Sequence, residues 1–158
     1  MRGLETILAE HPFFSGMPDD VTANLAGCAR NEKYTEGEVI ATEGQTADRF
    51  FLVRHGSVAV ELRSPGRGPL IVETVGEGEV FGWAAFVAPY RYMFDIRARQ
   101  LTRLISLDSA CLRNKFESNP QLGYTVHQQI VPIMAKQLDS VRMQMLNLYA
   151  EPAGANLS

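Results

Sequence analysis

Residues 78–98 read GEVFGWAAFVAPYRYMFDIRA and hold the residues of this chain best suited to chemistry. Gly82 followed by the small Ala84 and Ala85 lets backbone N–H groups come close to an anion, and backbone donors at a helix start suit phosphate without any charged side chain. Val80–Val87 is the one phosphate-type element in the sequence. Arg91 offers a planar cation that holds an anion or lies solvated in a loop. Trp83 offers either a stacking platform for a base or aromatic ligand, or an indole large enough to fill a pocket. With Tyr92 and Val60 these make the candidate ligand-binding set: Gly82, Trp83, Ala84, Ala85, Arg91, Tyr92 and Val60. Asp95 and Arg97 read as a surface or rim pair.

Other chemistry finds little support. His11, His55 and His127 lie far apart with no H-x-H or HExxH spacing, so no metal site is expected. No GxGxxG, P-loop or nucleophile–base order is present, and an enzyme is not expected. Asp19 and Asp20 follow Pro18 and read as helix-start residues opposing the helix dipole rather than a catalytic pair. Cys28 and Cys111 have no CxxC spacing and read as two buried free thiols of a reducing compartment.

Bulk properties agree. The 158 residues suit one domain with a real core, 46% are hydrophobic and 21% charged, and the net charge of −3 argues against a nucleic-acid binder. Apolar runs of membrane-spanning length are absent, and the N-terminus MRGLETILAEHPFF is not a signal peptide, so the cytoplasm is the default expectation.

Positioning those residues falls to three kinds of element. Residues 4–12 and 19–28 carry apolar side chains at helical spacing. From about 33 to 107, short β-branched and aromatic runs alternate with glycine-bearing turns, which indicates an antiparallel barrel or jelly roll. SPGRG reads as a hairpin tip. After Leu107, Asp108 caps one helix. Asn119 and Pro120 open a last one that runs to about residue 149, and the polar tail 151–158 is expected to be frayed.

In that last helix Tyr124, His127, Val131, Met134, Leu138, Val141, Met145 and Leu148 alternate at spacings of three and four. A repeat near 3.5 is a self-association seam, and a homodimer through Val131, Met134, Leu138, Val141, Met145 and Leu148 is expected in preference to a helix packed on its own roll. Pro132 predicts a kink near 128–132.

GEVIATEGQTADRFFLVRHGSVAV (37–60) and GEGEVFG (76–82) resemble the cyclic-nucleotide-binding domain of the catabolite activator/FNR family. The resemblance covers about residues 10–148. It implies an α+β fold: an antiparallel, jelly-roll-like β-roll (a double-stranded β-helix) flanked by N-terminal helices and a long C-terminal helix, within one domain over 1–150. It implies a pocket in which a short helix presents N–H groups to a cyclic phosphate, a Glu after FG holds the ribose, and an Arg beside Ser or Thr holds the phosphate. Trp83 stands at the Glu position, Tyr92 and Met93 at the Arg and Ser/Thr positions, and Val141 and Arg142 where the terminal helix meets the base. Arg91 is one residue early. Only AEPAGANLS follows Tyr149, so direct DNA binding is not expected.

Two readings follow. In one the chain is a small sensor domain for a cyclic nucleotide or other small anionic ligand, with cyclic AMP weak or absent and no other cofactor. In the other it is a ligand-free scaffold or dimerisation module plugged by Trp83. The small residues Gly82, Ala84 and Ala85 favour the open pocket.

Overall fold

The computed structural model describes residues 3–150; the tail at 151–158 lies outside them. Two four-stranded antiparallel sheets face each other. One runs in the order β1 (Ala29–Tyr34), β8 (Thr102–Asp108), β3 (Arg49–His55), β6 (Val80–Phe81). The other runs β2 (Val39–Ala41), β7 (Asp95–Ala98), β4 (Ser57–Leu62), β5 (Leu70–Gly76). Helices α1 (Leu4–Glu10) and α2 (Asp19–Leu25) precede the roll, and α3 (Ser109–Ser118) and α4 (Pro120–Ala150) follow it. The expected β-roll with flanking helices is what forms.

The central strand β3 explains how roll and helices share one core. Phe50, Phe51, Leu52 and Val53 are all fully buried, so the strand is covered on both faces. Phe51 stacks on Phe81 at 4.7 Å, while Phe50 meets Phe13 at 5.6 Å and Phe86 at 4.9 Å. The β3–β4 turn needs Gly56. Its φ is 93°, and a Cβ there would stand 2.5 Å from the Leu101 carbonyl oxygen. SPGRG lies in the β4–β5 connection, as its composition indicates.

Helix ends follow their sequence signals. Helix α1 stops at Glu10 because His11 is extended ahead of Pro12, which cannot continue a helix. The Asp108 carboxylate accepts the Cys111 N–H at 2.8 Å, and Asn119 Oδ1 accepts the Leu122 N–H at 3.2 Å. Helix α4 is continuous for 31 residues with Pro132 inside it.

The expectation of two free thiols is wrong: Cys28 and Cys111 form a disulfide, with Cα atoms 5.7 Å apart. They are separated by 83 residues, so no local spacing could reveal the pairing. Strand register creates it. Ala29 pairs with Leu107 at one end of the β1–β8 ladder, which sets the residue before β1 beside the first turn of α3. Closing so long a loop removes about 4–5 kcal/mol of unfolded-state entropy in the chain-entropy account.

Inside the N-terminal layer, His11 is buried and doubly engaged. Its Nε2–H donates to the Val53 carbonyl at 3.0 Å, and Nδ1 accepts the Phe13 N–H at 3.1 Å. Only the neutral ring can do both. Burial lowers its pKa below the ordinary 6.5, outweighing the Val53 bond. The folded state therefore takes up the proton less readily than the unfolded chain, and this stabilisation is present above pH 6.5 and lost as pH falls through the lowered value. Urea unfolding followed from neutral to mildly acidic pH should show stability falling below about pH 6.5, with a shallower fall in His11→Gln.

Candidate functional site

Strands β4 and β7 supply one wall of the roll interior, with Val60 paired directly to Ile96. Strand β6 delivers the chain to Gly82, whose φ of 88° is left-handed and turns it into the short helical turn Trp83–Phe86. A Cβ at Gly82 would stand 3.3 Å from both the Arg49 carbonyl oxygen and the Phe51 ring. Ala84 and Ala85 are buried in the core cluster. Packing against β3 thus accounts for the small residues that the sequence offered as marks of an anion cradle.

Val60, Gly82, Trp83, Ala84 and Tyr92 line one cavity together with Phe81, Met93, Phe94, Ile96 and Gln137. Its volume is about 20 Å³, close to that of a single water site. The lining carries neither a basic nor an acidic side chain.

Two candidates do not reach this cavity. Arg91 is exposed and donates to the Gly44 carbonyl at 3.0 Å, within the bridge that joins Arg91 to Thr46. Ala85 faces Phe86, Leu112 and Phe116 on the other side of the turn. Nor do Asp95 and Arg97 pair with each other. Asp95 takes Arg63 at 2.8 and 3.0 Å, and Arg97 donates to the Gly37 carbonyl at 2.9 Å and meets Glu61 at 3.4 Å.

Tyr92 anchors a loop. Its hydroxyl donates to the Arg49 carbonyl at 2.8 Å and receives the Arg49 N–H at 3.3 Å, and its backbone bonds to Gln45 and Gly44. Burial pushes the phenol pKa well above its usual value, so it stays neutral.

The missing member of the sequence-derived site is Gln137. The Trp83 Nε1–H donates to Gln137 Oε1 at 2.6 Å, and Gln137 Nε2 donates to Glu73 Oε1 at 2.7 Å. Ser140 Oγ donates to Glu73 Oε2 at 3.4 Å, and Lys136 meets Glu79 at 3.2 Å. An indole donor and a carboxylate acceptor leave one orientation for the amide between them. Arg142 instead pairs with Asp139 on the exposed side of α4. A sequence signal for Gln137 existed: it continues the stripe Leu122, Val126, Ile130 that buries against the roll, and is the polar residue in it.

Phe86, at the end of the turn, lies 6.1 Å from Phe116 of α3 and 5.4 Å from His127 of α4. Arg113 of α3 lies over the Tyr90 ring at 4.3 Å and donates to the Ala85 carbonyl at 3.4 Å. Both helices therefore grip the turn.

A family model for the cyclic nucleotide-binding domain matches residues 31–119. A CRP-like cAMP-activated global transcriptional regulator of Mycobacterium tuberculosis is 21% identical over 145 residues, which are 92% of this chain and 63% of that protein. The chain thus spans less than two thirds of that curated relative. A crystal structure of a putative cyclic nucleotide-binding protein from Geobacter metallireducens is similar with a TM-score of 0.76 and 25% identity, covering 87% of this chain and 99% of that one. A cyclic nucleotide-binding domain from Methylobacillus flagellatus reaches 0.79 at 18% identity, over 92% and 85%, and speaks for the fold. Among the described residues no helix is long and apolar enough to cross a membrane, and no cluster of His, Cys, Asp or Glu could hold a metal ion.

Gln137→Leu should leave the Trp83 N–H without its partner and the Glu73 carboxylate with Ser140 Oγ alone of the two donors described. The expected cost is about 1–3 kcal/mol in urea unfolding, with a red shift of the sole tryptophan's emission. Gln129→Ala, on the exposed side of the same helix, should change neither.

Proposed function

Because this chain belongs to the cyclic nucleotide-binding domain family, we propose that it is a regulatory domain whose nucleotide pocket is closed by its own Trp83 and whose output is self-association through α4. The observation that carries this reading is the Trp83–Gln137 hydrogen bond beside a cavity of about 20 Å³. A nucleotide needs a pocket of at least about 300 Å³.

Cyclic AMP, the activator named for the mycobacterial relative, would find poor complements here. Trp83 replaces the ribose carboxylate, Tyr92 replaces the phosphate arginine with a neutral phenol, and Arg91 is engaged at the rim. Each lost charge-assisted hydrogen bond costs about 1.5–3 kcal/mol, and two approach a thousandfold in affinity.

The outward face of α4 supports self-association. Tyr124, Val131, Leu138 and Met145 recur every seven residues and are 60%, 62%, 70% and 52% exposed. Leu148 is exposed as well, while Met134 and Val141 are half-buried at the flank of this row. A helix of this length spans about 46 Å, ample for a paired seam.

A second reading is a sensor that opens for a nucleotide-like or other anionic ligand. It is favoured by the convergence of Val60, Gly82, Trp83, Ala84 and Tyr92 on one cavity, and by Trp83 being only partly buried. It requires the indole to swing out.

Tryptophan emission and calorimetry test the two together. The closed pocket predicts blue-shifted emission, poorly quenched by acrylamide, and no low-micromolar heat with cyclic AMP. A ligand-dependent red shift would move the reading to the sensor. Sedimentation should give a dimer for the wild type and a monomer for Leu138→Asp; a monomeric wild type would remove the α4 output.

A further inference from the structure

We propose that the Cys28–Cys111 disulfide is a thiol–disulfide exchange site for a small thiol or dithiol reductant, and that its redox state sets how firmly α3 holds the Trp83–Phe86 turn. The inference holds whether or not the pocket takes a ligand.

Access comes first. Both cysteines line an open cleft of about 310 Å³, with Gly27, Arg30, Arg49 and Ser106 around them. Cys28 is buried while Cys111 is half-exposed, which makes Cys111 the more approachable half of the disulfide. The charged groups of the cleft are matched in part, Arg49 Nε being buried without a hydrogen-bond partner. Arg49 donates to both Glu32 oxygens, Arg30 meets Glu32 at 3.4 Å, and Asp108 caps the Cys111 N–H. Arg30 and Arg49 border the cleft, so the class is a small thiol or dithiol, neutral or anionic.

The chemistry balances in two steps. A thiolate attacks Cys111 Sγ, the disulfide breaks, a mixed disulfide forms on Cys111, and Cys28 leaves as a thiolate that takes a proton. A second thiolate attacks the reagent's sulfur in that mixed disulfide and expels Cys111 as a thiolate. The products are two cysteine thiols and one oxidised reagent disulfide, for two electrons. The last leaving group sits in the first turn of α3, where the helix dipole favours negative charge.

The consequence follows from what each half holds. Cys28 belongs to the turn before β1, and the β1–β8 ladder persists without the disulfide because it has its own six paired positions. Cys111 belongs to α3. The same helix places Phe116 against Phe86 and His127, and Arg113 on Tyr90 and the Ala85 carbonyl. Cutting the disulfide removes the covalent tie between the N-terminal layer and this helix. The roll stays folded, and α3, the Trp83–Phe86 turn and the start of α4 loosen together.

The test uses the wild-type chain in dithiothreitol without denaturant. Alkylation and mass measurement should trap two thiols. Hydrogen exchange should rise several-fold at 83–87 and 109–118 and stay unchanged in β3 and β8. The Cys28→Ser, Cys111→Ser double variant should reproduce that exchange pattern in non-reducing buffer; should it fail to fold, reduction of the wild type still decides. Thiols that appear only in denaturant, exchange at 83–87 that does not respond to reduction, or global unfolding on reduction would each overturn the proposal and leave a structural staple.

Discussion

One hydrogen bond, from the Trp83 indole to Gln137, fixes the relation between the roll and its last helix. Gln137 is buried and Trp83 partly so, and an unmet donor or acceptor away from water costs more than a formed bond gains. The bond joins the turn after Gly82 to α4, with the indole lining the cavity and Glu73 taking the other end of the same amide. Gln137 is the middle member: displacing it breaks both bonds, while displacing Trp83 or Glu73 leaves the other bond in place.

The apolar pattern of α4 acquires two meanings from this seating. Leu122, Val126 and Ile130 are buried against the body of the protein, while Tyr124, Val131, Leu138 and Met145 point away from it. A single helix thus carries an intramolecular stripe and an outward row. Moving the helix would change both at once, because the rows share one rigid backbone.

Helix α3 is the joint between the two halves of the fold. Through the disulfide it reaches the residues before β1, and through Phe116 and Arg113 it reaches the turn after Gly82. The turn itself is held from below by the close approach of Gly82 to β3. Its middle side chains, Ala84 and Ala85, are small and buried, while Trp83 lines the cavity and Phe86 packs on β3 and both following helices.

The sequence by itself determined the roll, its glycine turns, the caps at Asp108 and Asn119, and the stretch from which the pocket is built. These depend on local backbone geometry and on apolar period, which neighbouring residues encode. Its resemblance to the cyclic-nucleotide-binding family also set Trp83, Tyr92 and Met93 where that family carries charged or hydroxyl residues. It could not say what those residues do instead. Tyr92 closes on Arg49 and Trp83 on Gln137, across 43 and 54 residues, and such partners become neighbours only when the sheets close. The cysteines are the clearest case. Each alone reads as a small buried apolar side chain, and only the antiparallel register of β1 on β8 brings one sulfur to the other. The tertiary structure likewise separated Arg91 from the pocket and divided α4 into an inner and an outer face. Sequence spacing sets which residues share a face of one element, and what that face meets is decided by the packing of elements distant in the chain.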